Sequence, residues 1–127
     1  AALGSKLSAL DVQRLHLRRG ALGSQMRQFM QHWHLLVTPT VAVPAFDARP
    51  AGHRDMNPEA LLGWTPFSYP FNLTQQPACT MPCGITSDGL PIGVQFVGPM
   101  FGDALLLRAA RAFESVMPIP RPDLARL

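Results

Sequence analysis

Between Ala60 and Gly102 this chain carries a single charged side chain, Asp88. Ionised side chains are almost never fully buried unless paired, so a run this poor in charge belongs to the inside of a protein. It does not read as a membrane span. Pro66, Pro70, Pro77, Pro82, Pro91 and Pro99 interrupt it, and a spanning helix needs about 20 mostly apolar residues in a row. Apolar sequence broken by prolines and glycines reads as the interior strands and loops of a sizeable body. The flanking segments offer limited surface to cover it, so much of its burial partner is expected to lie outside this chain.

The flanks are helical in pattern. From Ser8 to Trp33, the residues Leu15, Leu22, Met26, Phe29, Met30 and Trp33 recur at spacings of one helix face, with Arg14, Arg18, Arg19, Arg27 and Gln31 largely on the other side. Gly20 and Gly23 mark either a close helix–helix approach or a break. Leu35, Leu36 and Val37 predict a strand buried on both faces, ended by Pro39. Val41 to Arg54 reads as loop. Asn57-Pro58-Glu59 and Thr65-Pro66 carry helix-start chemistry, the second predicting a short helix from Thr65 to Asn72. Ala78–Thr86 and Pro91–Val97 are apolar runs joined by Ser87-Asp88-Gly89-Leu90, a hairpin signal in which both Asp and Gly tolerate positive φ. Asp103 to Val116 is a helix with Asp103 as cap, Leu106, Leu107, Ala110 and Phe113 as its apolar face, and Pro118 and Pro120 beyond its end. This order predicts an α/β chain: helices packed on a mixed sheet, with a hairpin near residues 78–98.

No complete active site stands out from residue chemistry alone. The net charge of +3 comes from 11 Lys and Arg against 8 Asp and Glu, scattered and without interleaved aromatics. That speaks against a nucleic-acid surface. His32 and His34 would share a face only on a strand, and no third metal ligand is near; His16 and His53 are isolated. Asp47, Asp55 and Glu59 sit in or beside a loop and read as solvated. Cys79 and Cys83 read as small buried hydrophobes in a reducing compartment. Cys83 before Gly84 superficially suggests a nucleophile beside an oxyanion hole, but its mid-strand apolar setting favours core. The N-terminus has the pattern of neither a signal peptide nor a leader. A chain that opens on Ala1 reads as a processed or truncated product, and loss of an initiator Met or a tag remnant would look the same.

Four segments in order resemble one family. Pro66-Phe-Ser-Tyr-Pro-Phe-Asn-Leu-Thr-Gln-Gln-Pro-Ala-Cys-Thr-Met-Pro-Cys-Gly84 is similar to the recurring Asn-Leu-Thr-Gly-x-Pro-Ala and Val-Pro-x-Gly motifs of the amidase-signature hydrolases. Ser87-Asp-Gly-Leu-Pro-Ile-Gly-Val-Gln-Phe-Val-Gly98 resembles that family's Asp-Gly-Leu-Pro hairpin. Leu35–Thr40 resembles the strand after its long helix, and Asp103–Glu114 its last helix. Together, with the gaps between them, these span residues 35–114. Gln75 departs from the pattern, standing where the family usually has Gly. If that position needs positive φ, either it costs about 1 kcal/mol or more or the turn is reshaped.

The resemblance implies the mixed-sheet amidase-signature fold, with residues 1–127 as a C-terminal part and the catalytic part absent. It implies hydrolysis of carboxamide C–N bonds by a serine nucleophile, a second serine and a neutral lysine. Lys6 is the only lysine and no Gly/Ser-rich segment is present, so no catalytic residue is assigned here and this chain alone is expected to be inactive. Substrate-binding positions carry over onto Trp64, Thr65, Phe67 and Ser68, an aromatic wall suited to an apolar or aryl acyl group; plain core packing is the competing reading. The implied partner is a small-molecule amide in a cytoplasmic enzyme, with no cofactor, metal, nucleic acid or membrane, and a homo-oligomer left open. Two other readings remain. One is an inactive amidase-derived interaction module. The other is a glutamyl-tRNA amidotransferase A-type subunit, disfavoured because Thr65 stands where an acidic residue would hold the glutamine amine.

Overall fold

A computed structural model describes residues 4–45 and 63–118. The expected helix start at Asn57-Pro58-Glu59 and the end of the Val41–Arg54 loop lie outside these residues.

After a 3-10 turn at Gly4–Lys6, helix α1 runs from Ala9 to Phe29. Ser8 starts it with a reciprocal cap: its hydroxyl accepts from the Asp11 N–H at 3.2 Å, and the Asp11 carboxylate accepts from the Ser8 N–H at 3.1 Å. The Ser8 hydroxyl also donates to the Asp11 carboxylate at 2.6 Å, and this bond first, with the Ser8 N–H second, holds the Asp11 carboxyl below its ordinary range. The helix stops short of Trp33 because i→i+3 bonds, Gln31 to Gln28 and His32 to Phe29, replace the α-helical ladder. Gly20 and Gly23 neither break it nor admit another described element, since a Cβ at Gly20 meets open space and one at Gly23 meets only Arg27.

Strand β1 (Leu36–Pro39), strand β2 (Ala78–Ile85) and strand β3 (Pro91–Val97) form one sheet in the order β1-β3-β2. Both pairings are antiparallel, with Thr38 and Thr80 opposite Gln95. Among the described residues the sheet therefore shows antiparallel pairs alone. β1 is not buried on both faces as expected: it is an edge strand here, and Val37 is 56% exposed. In β2 the register slips between Pro82 and Gly84. Cys83 is the extra residue, and this bulge tolerates a proline inside a strand.

The hairpin turn closes with Gly89 N–H to Thr86 O at 3.0 Å and Thr86 N–H to Leu90 O at 2.8 Å. Gly89 alone takes positive φ there, at 81°; Asp88 does not. The Thr86 hydroxyl adds a bond from the Leu90 N–H at 3.0 Å.

Helix α2 spans Tyr69–Thr74, later than the expected Thr65–Asn72, because Pro70 rather than Pro66 occupies its first turn. Arg19 of α1 donates to Leu73 O at 2.8 Å, satisfying a carbonyl at the end of α2. Helix α3 spans Asp103–Val116. Its cap is Gly102, not Asp103, which is the first helical residue and makes no capping bond.

The sheet is covered on both faces. Phe96 and Met81 pack with Leu106 and Ala110 of α3, and Phe96 meets Phe113 edge to face at 5.3 Å. On the other face Val97, with no exposed surface, packs with Met30 and Phe71. The alternation of strand side chains divides neighbours 96 and 97 between these layers. The expected apolar face of α1 meets this core only through Met26 and Met30; Leu15, Leu22, Phe29 and Trp33 are exposed.

Gln75 ends α2 at φ 63°, ψ 28°, and its N–H donates to Phe71 O at 2.7 Å. This is the left-handed C-cap position that glycine ordinarily fills. A side chain there costs about 1–2 kcal/mol, while glycine's looser unfolded chain offsets about 0.4–1 kcal/mol. Gln75→Gly is therefore expected to stabilise the fold by roughly 0.5–1 kcal/mol in urea unfolding, whereas Gln75→Ala should not. Equal midpoints for the Gly and Ala variants would show that no strain is held at this cap.

Candidate functional site

Trp64, Thr65, Phe67 and Ser68 form a turn that leads into α2. Ser68 N–H donates to Thr65 O at 3.1 Å, and Asn72 N–H donates to Ser68 O at 3.2 Å. All four residues are half-buried. The Ser68 side chain makes no cap bond to the helix that it precedes. The Thr65 hydroxyl is buried, with no hydrogen-bond partner among the described residues.

Two ties join this turn to the sheet. Beyond β1, Thr40 N–H donates to Gly93 O at 3.1 Å, and Ala42 N–H donates to Trp64 O at 3.2 Å. The second tie is a side chain. Gln95, in the middle of β3 and only 7% exposed, donates from Nε2 to Phe67 O at 3.0 Å and to Thr38 Oγ1 at 3.1 Å. Thr38 donates its own proton to Pro39 O at 3.0 Å, so toward Gln95 it acts as acceptor. Two amide protons meet two acceptors, which fixes the orientation of the carboxamide. A buried polar side chain without such partners would destabilise the sheet by about 1–3 kcal/mol.

Beside Gln95, the sheet closes over Gly93. A Cβ there would fall 2.7 Å from Thr40 Oγ1 and 3.2 Å from Thr80 Cγ2. Thr40 and Thr80 themselves are linked at 3.4 Å. The glycine is thus required by close approach, not by its backbone angle.

A cleft of about 450 Å³ lies elsewhere, between the end of α2 and the start of α3, with Gln75, Gln76, Met100, Phe101 and Asp103 among its walls. Gln76 is buried; its Oε1 accepts from the Thr74 hydroxyl, while its Nε2 has no partner among the described residues. Phe101 takes φ 64° and is 90% exposed.

The remaining candidates stay apart. His32 and His34 lie exposed in the connection between α1 and β1, on neither helix nor strand. Among the described residues no three His, Cys, Asp or Glu side chains are grouped to hold a metal ion. His53, Asp47, Asp55 and Glu59 lie outside the described residues. Both cysteines are free thiols and half-buried, not fully buried as expected. Cys79 packs against the α3-side core, and burial raises its thiol pKa, which disfavours the nucleophilic thiolate. Cys83, at the bulge, directs its Sγ to Ile92 O at 3.5 Å. No described helix is long and apolar enough to cross a membrane.

The residue missed at sequence level is Gln95. Its signal was available: it is the one polar side chain in Ile92-Gly-Val-Gln-Phe-Val97, and a buried polar group needs partners.

Residues 2–107 match the profile of the Amidase family. The chain belongs to that family. It is 38% identical over 117 residues to an acylamidase of Rhodococcus erythropolis, covering 89% of this chain and 24% of the relative. It is 43% identical over 94 residues to the A-type subunit of the glutamyl-tRNA(Gln) amidotransferase of Chloroflexus aggregans, covering 72% of this chain and 18% of the relative. Among solved structures it superposes on 6-aminohexanoate cyclic dimer hydrolase with a TM-score of 0.80 and 26% identity, over 95% of this chain and 28% of that one. A bacterial aryl acylamidase gives a TM-score of 0.77 at 25% identity, over 93% and 25%. The chain thus spans about a quarter of the length of its acylamidase relative.

Gly93→Ala is expected to force Thr40 and Thr80 apart and lower stability by about 1–3 kcal/mol, read as a drop in the urea midpoint. An unchanged midpoint would show that the strands can part there at no cost.

Proposed function

We propose that this chain is the C-terminal part of an amidase that hydrolyses carboxamide C–N bonds, with the catalytic serines and lysine contributed by polypeptide outside these residues. The observation that carries the reading is the match to an acylamidase along 89% of this chain but only 24% of that relative. The exposed apolar face of α1 supports it: Leu15, Leu22 and Phe29 on the helix, and Trp33 just beyond its end, are left exposed by the described residues.

In this reading the Trp64–Ser68 turn is one wall of the acyl pocket. Trp64 and Phe67 present half-buried aromatic surface suited to an apolar or aryl acyl group. A neutral lysine would take the serine proton, and backbone N–H groups would hold the oxyanion of the tetrahedral intermediate. The chain's part is to orient the acyl group and exclude water; no residue of its own transfers a proton. The enzyme is taken to be cytoplasmic, in keeping with two free thiols, and to act on a small-molecule amide without cofactor or nucleic acid.

A subunit of an amidotransferase is the second reading, favoured by 43% identity to the Chloroflexus aggregans protein. It is weakened by Thr65, whose hydroxyl brings no negative charge to hold an ammonium group. Glutamine-dependent ammonia release by the intact polypeptide would overturn the preference for the amidase.

The chain by itself is expected to release no aryl amine from an aryl anilide, while the intact polypeptide does. Trp64→Ala or Phe67→Ala in the intact polypeptide should raise KM for aryl-acyl amides about tenfold, equivalent to roughly 1.4 kcal/mol of lost contact, and leave acetamides nearly unchanged. Turnover by the purified chain would exclude an outside catalytic group. An equal loss on large and small acyl groups would return Trp64 and Phe67 to ordinary core.

A further inference from the structure

We propose that Gln95 is the positioning residue of the acyl wall: its carboxamide, anchored in the central strand, sets where the Trp64–Ser68 turn stands and so tunes acyl-group selectivity. This rests on reading that turn as the substrate wall. Three observations carry it. Gln95 is the side chain of the sheet that reaches the turn, through Phe67 O at 3.0 Å. The contact is made to backbone, so it fixes the turn whatever side chains the turn carries. And the second amide proton is satisfied separately by Thr38, whose hydroxyl donates to Pro39 O, so the proton given to Phe67 O is not shared.

The neighbourhood adds rigidity. Gln95 sits on the strand with a hydrogen-bonded partner on each side, opposite Thr38 and Thr80. At the other end of the turn, Ala42 N–H holds Trp64 O. The wall is thus pinned at its first and fourth residues, with Thr65 and Pro66 between the pins. Removing the Gln95 pin takes away the bond from the sheet to Phe67 O and loosens Phe67 between Trp64 and the start of α2. Bulky acyl groups, which touch that ring, would feel the change; small ones would not.

The test compares Gln95→Met, which keeps length but cannot donate, with Thr38→Val, which removes the other acceptor and spares the Phe67 bond. Hydrogen exchange is followed by mass spectrometry on the full chain, with any further encoded polypeptide retained. Gln95→Met should speed exchange across residues 64–68 about tenfold, the worth of one buried hydrogen bond, without change in α3. Thr38→Val should leave that segment within about twofold of the parent. Equal exchange in the Gln95→Met and parent proteins overturns the proposal, as does equal acceleration by both variants. If Gln95→Met does not fold, Gln95→Glu serves: its protonated carboxyl can donate and its carboxylate cannot, so protection of 64–68 should return as pH is lowered. A Glu variant whose wall ignores pH counts against the pin.

In the intact enzyme, Gln95→Met should raise KM for aryl-acyl amides about tenfold while kcat and small-acyl turnover stay within about twofold. Loosened exchange without any acyl-size effect would sink the substrate-wall reading and leave the pin standing. Unchanged exchange would sink the pin whatever the kinetics.

Discussion

The pairing of β3 on both its edges is the constraint on which the rest of the described structure hangs. A strand with partners on each side satisfies its backbone groups in the sheet and is free to bury both faces. β3 uses that freedom in consecutive residues. Phe96 holds α3 to one face and Val97 holds α1 and α2 to the other. Gln95, one residue earlier, reaches the turn before α2. Three adjacent side chains therefore organise both layers and the candidate site. A one-residue slip of register would exchange the two faces and dismantle all three contacts together.

The elements with strong local chemistry were legible in the sequence. The Asp-Gly hairpin, the two long helices and the strand at Leu36–Pro39 all form, and the amidase resemblance drawn from the same segments holds. The misplacements have local causes. Thr65-Pro66 and Ser68-Tyr69-Pro70 both carry helix-start chemistry, and a short window cannot choose between two prolines; the fold chooses Pro70. Asp103 looks like a cap, yet the tight turn that brings Gly102 N–H to Pro99 O at 2.8 Å moves the cap one residue earlier. The apolar stripe of α1 was legible as a pattern, but a pattern does not say what covers it. Most of that stripe is exposed, and only its last turn meets the sheet.

The candidate site was legible to a lesser degree. The motif resemblance pointed to Trp64, Thr65, Phe67 and Ser68, and these residues do form one turn. What held the turn in place was not visible, because the tie runs from residue 95 to residue 67 and depends on strand register that local periodicity does not report. The Gln75 departure is the opposite case. A glycine expected there implied positive φ, and the backbone does take φ 63° despite the side chain. The strain at this cap therefore comes from a side chain held at a left-handed position.

A side chain that holds a backbone carbonyl separates position from composition. Packing alone would place the Trp64–Ser68 turn through its own side chains, and each substitution in it would then shift the wall as well as resurface it. With Trp64 O held by Ala42 and Phe67 O held by Gln95, the turn is located through its backbone. The surface it offers can then change while its distance from the sheet is kept. The cost is a buried carboxamide in an apolar strand, tolerable only because both of its protons are used. That requirement also explains why the partner strand places a threonine at position 38. An apolar residue there would bury as well, but it would leave one Gln95 proton without an acceptor.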